Sequence, residues 1–241
     1  MPGNVISPEG EGSAAGAAER RAVPAPAAGA KPPTKEKVRK NDRRPHEIYM
    51  IGDQKYIGTQ HIRSPEDQAS NRAITEPDLK NPALMAYLTL VSMTEGTNGE
   101  YKYYERYGRK RLKDLSRFYY GNGISDASGM FQIQGETYDE VAIAKLGLND
   151  FSPRTQLMTA MFLLRSRHIR EPLLAGDIVG AIARGKDVWA SLPDPGTNKS
   201  RYGKSGTKHL QPSADLATAI ATYKRLKIIW EKRLTPSTSS K

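Results

Sequence analysis

Apolar residues recur at helical spacing in separate blocks of this chain, and capping or stop residues bound each block. Leu84, Leu88 and Val91 share one face of a helix that Asn81 can cap, with Pro82 suited to its first position and Gly96 stopping it. From 98 to 127 the pattern breaks into glycine, tyrosine and charged residues, which predicts a loop or small-hairpin region. Thr137-Tyr-Asp-Glu140 has the form of a capping box and opens a helix ending at Gly147. Ser152-Pro153 opens the next, with Leu157, Met161 and Leu164 on one face. A shorter helix follows from about Asp177 to Ala183. A long one runs from Ser213-Ala214 to about Leu234, turning Leu216, Ile220, Tyr223 and Leu226 inward. Upstream, residues 47–58 read as two short strands around a Gly52-Asp53 turn, and the polar residues 59–80 read as an irregular connector.

The pattern therefore predicts a mainly α fold with one small β or loop region after the first long helix. It divides the chain into a tail over 1–45, a possible β-hairpin with connector over 46–80, a compact domain over 81–234 and a disordered C-terminus over 235–241. A hairpin alone is marginal in water, so this one must dock on the domain or on a partner.

Composition sharpens the first segment. About half of the first 40 residues are Ala, Gly or Pro, too little apolar surface to offset ordering entropy, so the tail is expected to be disordered. Lys35, Lys37, Arg39, Lys40, Arg43 and Arg44 then form a basic run without interleaved aromatics. That reads as a solvated linker rather than a nucleic-acid arm. The net charge of +11 favours anionic partners without choosing among them. No cysteine is present, which excludes disulfides and thiolate metal sites. No apolar run reaches the length of a membrane span, and the first residues lack the hydrophobic core of a signal peptide.

Candidate chemistry centres on one acid. Glu95 closes the first long helix, and about thirty residues later Ala127-Ser-Gly-Met-Phe-Gln-Ile133 reads as a tight glycine-bearing turn that brings backbone close to a ligand. An acid facing such a turn is the minimum equipment for protonating a glycosidic oxygen, provided its carboxyl stays neutral near neutral pH. A structural role for Glu95 is disfavoured, since a negative charge there opposes the helix dipole. A two-carboxylate mechanism would draw its second acid from Asp114 or Asp126. Tyr103, Tyr104, Tyr107, Tyr119 and Tyr120 supply aromatic faces for sugars, although several must be core or rim. His46, His61, His168 and His209 show no metal-ligand spacing, and no phosphate-cradling glycine loop or nucleophile elbow occurs, so neither metal nor cofactor is expected.

Four segments resemble the lambda-phage-type lysozymes, lytic transglycosylases of glycoside hydrolase family 104, over about 80–230. Ser92-Met-Thr-Glu-Gly-Thr97 is similar to that family's helix end with the catalytic acid. Gly108 followed by Asp114-Leu115-Ser116 resembles its Gly-Gly to Asp-Tyr-Ser stretch, and Ser128-Gly-Met-Phe-Gln132 its Ala-Gly-Arg-Tyr-Gln turn. The most extended likeness joins Leu146–Gln156, Gly176-Asp177-Ile178 and Trp189-Ala-Ser-Leu-Pro193. Two departures stand out: Arg117-Phe118-Tyr119 replaces Asp-His-Pro, and Met130 replaces the arginine of the turn.

The resemblance implies a lysozyme-like α+β fold and a peptidoglycan-degrading glycosidase of phage origin. On that resemblance it is expected to cleave between N-acetylmuramic acid and N-acetylglucosamine with Glu95 as sole acid and to give 1,6-anhydro products. Tyr103, Asp114, Ser116, Ser128, Gly129, Phe131, Gln132 and Trp189 are the implied substrate-binding set. Within it, Asp114 either supports its loop or binds sugar, Gly129 and Phe131 either contact substrate or serve the turn, and Trp189 packs under the cleft or stacks on it. Alternatives are a hydrolytic lysozyme, a virion structural or ejection protein carrying the domain, and a degenerate fold that only binds cell wall. The expected partners are glycan strands, with virion proteins reached through residues 1–80, and no nucleic acid. The expected location is the virion or host cytoplasm, with action on the periplasmic wall.

Overall fold

The computed structural model describes residues 47–108, 110–121, 125–200 and 214–235. The tail over 1–45, the basic run, the C-terminus from 236, His46 and His209 lie outside the described residues. Around the turn at Gly52, β1 (Ile48–Ile51) and β2 (Gln54–Ile57) pair antiparallel, and β3 (Gln60–His61) adds a third strand in the order β1-β2-β3. Only Ile57 of this sheet is buried, and all four residues of β1 are exposed.

The expected connector 59–80 is instead largely helical: α1 spans Pro65–Thr75 and a 3-10 turn continues over Glu76–Lys80. Ser64 caps α1 through Asp67 N, and Pro65 starts it. The segment has no apolar stripe because polar side chains dock it. Gln68 donates to the carbonyls of Ile143 and Ala144, Asn71 to Lys145 and Arg72 to Leu146. Asp78 then pairs with Arg170 (Nε 2.8 Å, Nη2 2.9 Å) and with Arg165 Nε at 3.2 Å, tying the 3-10 turn to the helices behind it. Asp78→Ala strands both guanidiniums, which retain some solvent contact. A loss of about 2 kcal/mol is expected, read as a lower urea midpoint.

The centre of the molecule is α2 (Pro82–Thr94), capped by Asn81 Oδ1 through the N–H groups of Ala83 and Leu84. Its sequence is apolar on nearly every face, and the helix is accordingly enclosed, packing against α7 (Leu216–Leu234), α5 (Arg170–Leu174) and α4 (Pro153–Ser166). Ser152 caps α4 as the sequence predicts, and Asp177 caps α6 (Ile178–Gly185). Tyr223 and Ala219 of α7 are buried, with Leu216, Ile220, Leu226 and Trp230 partly so.

The helix expected to open at a Thr137 capping box begins earlier, as α3 (Gly135–Thr137), and continues as a π-helical segment over Tyr138–Lys145. Thr137 lies inside it and makes no cap. The wider turn brings Leu146 N to Val141 O at 2.9 Å. It also places Tyr138 in an aromatic cluster with Phe118 and Phe151, at centroid distances of 4.7 Å and 5.8 Å. Phe118, where the resembling family has a polar residue, thereby anchors the 114–121 loop in the core.

Candidate active site

Glu95 is the C-cap residue that follows α2, just before the chain reverses. Gly96, at φ +73°, takes the left-handed conformation that ends the helix, with Gly96 N bonding Met93 O and Thr97 N bonding Ser92 O. This turn places the Glu95 side chain inside the protein, where it is only 4% exposed. The Ser191 hydroxyl lies 2.7 Å from Glu95 Oε1 and 2.9 Å from Thr94 Oγ1, whose own hydroxyl donates to Val91 O. Burying a carboxyl is costly without partners, and the Ser191 hydroxyl is one of those that offset the cost. Ser191 sits ninety-six residues away in sequence and was not singled out, although it lies within the Trp189–Pro193 segment.

The glycine turn is joined to this acid through Thr97, whose hydroxyl donates to Met130 O at 2.5 Å. Ser128 and Ile133 exchange two hydrogen bonds across the turn, and β4 (Glu105–Arg106) receives Gly129 N at Glu105 O. β4 pairs with β5 (Lys110–Arg111), so the small hairpin expected between 98 and 127 is present and forms the turn's outer support. Gly129 has φ +74°, and a Cβ there would lie 2.2 Å from Gln156 Oε1. Gln156 is the buried organiser: Oε1 accepts from Met130 N, while Nε2 donates to the carbonyls of Tyr103 and Phe151. It belongs to the segment that carries the resemblance, but its role is set by three backbone segments, at Tyr103, Met130 and Phe151, two of them distant in sequence.

The expected substrate-binding set divides. The Phe131 ring is fully enclosed, which corrects its assignment as a sugar contact: only its backbone is available, and its carbonyl takes Trp189 Nε1 at 3.2 Å. Trp189 is buried edge-on to Tyr87, packing beneath the turn. Ser128 is also buried, its hydroxyl donating to Asp126 O, so its side chain gives way as a contact for the same reason. Gln132 is half-buried, at φ +47°, with Nε2 folded back on Gly129 O. Tyr103 is half-buried, and burial pushes its phenol above the usual range.

Asp114 is exposed and accepts from both Ser116 Oγ (2.6 Å) and Ser116 N (2.9 Å). These bonds hold its carboxyl below the usual range, so it is an ionised loop clamp with Ser116 rather than a proton donor. Asp126 packs where a Cβ at Gly135 would meet its Oδ2 at 2.7 Å. Burial, and then its hydrogen bond to Asp139, drives the Tyr120 phenol pKa far up, whereas Tyr104, Tyr107 and Tyr119 remain exposed. Arg106 stacks over Tyr119 at 3.5 Å, fixing one of these rims. Among the described residues no cluster of His, Asp or Glu has the geometry to hold a metal ion.

Comparison with known proteins bears on this arrangement. A family model described as Endolysin matches residues 85–213. The Endolysin of Escherichia phage lambda is 36% identical over 72 residues, covering 30% of this chain and 45% of that protein. The Endolysin of Escherichia phage P2 is 44% identical over 58 residues, 24% of this chain and 35% of that protein. Each alignment thus spans less than half the relative's length. Among solved structures, bacteriophage lambda lysozyme complexed with a chitohexasaccharide has a TM-score of 0.48 and 27% identity, covering 61% of this chain and 94% of that one. Lysozyme from bacteriophage lambda has a TM-score of 0.49 and 26% identity, with the same coverage.

Proposed function

We propose, for a chain that belongs to the endolysin family, that it degrades bacterial cell wall by cleaving the β-1,4 bond between N-acetylmuramic acid and N-acetylglucosamine. The observation that carries this reading is the Glu95 carboxyl, withdrawn from water at a helix end and aligned by Ser191 beside the Gly129–Gln132 turn. The neutral carboxyl donates its proton to the glycosidic oxygen as the C1–O bond breaks. The muramic C6 hydroxyl then attacks C1, and the Glu95 carboxylate takes the hydroxyl proton. The C1–O6 bond closes a 1,6-anhydro ring, no water is added, and the acid is regenerated.

This route asks for no second carboxylate, which agrees with Asp114 being held by Ser116 and Asp126 lying against Gly135. Ser191 serves both halves of the cycle. It donates to ionised Glu95, and when Glu95 carries the proton it turns its own hydrogen to Thr94 Oγ1, whose lone pair stands 2.9 Å away. Ser191→Ala is expected to lower kcat about tenfold with little change in KM, because the alignment is of the acid and not of the substrate. An unchanged kcat in steady-state turbidity assays would remove Ser191 from the cycle.

Hydrolysis by the same acid is the rival chemistry, and the product decides between them. A particle-borne role is favoured by one observation, the apolar strand β1, whose Ile48 and Ile51 are each 59% exposed. That role requires the protein in washed, purified virions. No helix among the described residues is long and apolar enough to cross a membrane.

A further inference from the structure

The two segments that meet Thr97 and Glu95 through Met130 and Ser191 also present their neighbours, Gln132 and Trp189, to a cavity of about 690 Å³. Its other walls come from helix ends: Arg167 and His168 beyond α4, Arg184 at the end of α6, and Gln134 just before α3. The volume suits a ligand of several residues rather than an ion.

The lining chemistry does not match a neutral sugar. Arg167 and Arg184 are permanently charged, and among the described residues Asp187 is the only acid lining the cavity. Arg167 reaches Glu140 Oε2 through Nη2 at 3.3 Å, and Arg184 reaches Gly180 O through Nη1 at 3.4 Å. Each therefore keeps other N–H donors in a planar fork that suits a carboxylate. Gln132 has committed Nε2 to Gly129 and keeps Oε1 as an acceptor for a peptide N–H.

The geometry points to this cavity as the seat of an acidic peptide carried by the glycan strand, with its carboxylates on Arg167 and Arg184 and its backbone on the glutamine amides. The inference rests on the proposed cell-wall reading and deepens it. A glycan strand crossing the Gly129–Gln132 turn bears its peptides on the muramic lactyl groups, and Gln132 of that turn itself lines the cavity. The enzyme would then read the peptide as well as the sugar.

The test is an affinity measurement on the full-length Glu95→Gln protein, which does not consume its ligand. Calorimetry compares a disaccharide bearing the acidic stem tripeptide with the same disaccharide lacking it. The peptide-bearing ligand is expected to bind tenfold or more tightly, and adding Arg167→Gln with Arg184→Gln should erase that difference while leaving the thermal midpoint in place. Equal affinities in the parent protein, failure to bind either ligand, or equal weakening of both by the arginine changes would overturn the proposal. Cleavage of sacculi by the unsubstituted protein is read separately, so a failed catalytic reading is distinguishable from a failed peptide site.

Discussion

Glu95→Gln is expected to reduce the rate of cell-wall solubilisation about a thousandfold, the range of a general acid removed from its site. The amide keeps the shape of the carboxyl and still accepts from Ser191, so the fold should survive. Removing a negative charge from the C-terminal end of α2 should leave stability unchanged or raise it by about 0.5 kcal/mol. Activity and stability thus move independently, which a structural role for Glu95 would not allow. Turbidity clearance on purified sacculi together with a melting curve measures both. A substituted protein that clears at the normal rate ends the assignment.

Gln156→Leu should have the largest effect on stability. The substitution nearly preserves volume but strips Met130 N of its acceptor and the Tyr103 and Phe151 carbonyls of their donor, all around a fully buried residue. Unsatisfied buried groups cost about 1–3 kcal/mol each, and partial relaxation brings the sum to roughly 3 kcal/mol. Gly129 packs closely on this residue: a Cβ there would lie 2.2 Å from Gln156 Oε1 and 2.9 Å from Phe151 Cζ. The turn beside Glu95 should therefore loosen, and activity should fall even at temperatures where the protein stays folded. Chemical denaturation with a parallel activity assay would show a shifted midpoint; an unmoved midpoint would contradict the organising role given to Gln156.

What the sequence disclosed and what it withheld follow different physics. The ends of α2 were legible because caps are local: Asn81, Pro82 and Gly96 act on backbone within a few residues. Glu95 was legible for the same reason, as the residue before the stop. The helix α1 was not, because it is held by Gln68, Asn71 and Arg72 reaching backbone carbonyls more than seventy residues away. The start of the next helix was misplaced because Gln134, not Thr137, holds its N-cap position, so the apparent capping box lies inside the first turn. Phe118 looked like a replaced loop residue and proved to be core.

The site divides along the same line. Glu95 and the glycine turn came from local signals, and Thr97 is what physically joins them. Ser191 and Gln156 act through contacts across the chain, and although both lie in segments that carry the resemblance, the partners that define their roles are distant in sequence. Phe131 and Trp189 were expected at the candidate site as sugar contacts or packing, and both side chains are buried, with Trp189 Nε1 donating to Phe131 O.

The central claim is that one buried carboxyl, acting without a second acid, transfers the glycan to its own C6 hydroxyl. Mass spectrometry of sacculi digested by the purified protein tests it most directly. Soluble muropeptides ending in 1,6-anhydro-N-acetylmuramic acid, each one water lighter than its hydrolysed counterpart, are the predicted result. Hydrated reducing ends throughout, or no soluble muropeptides at all, would contradict it.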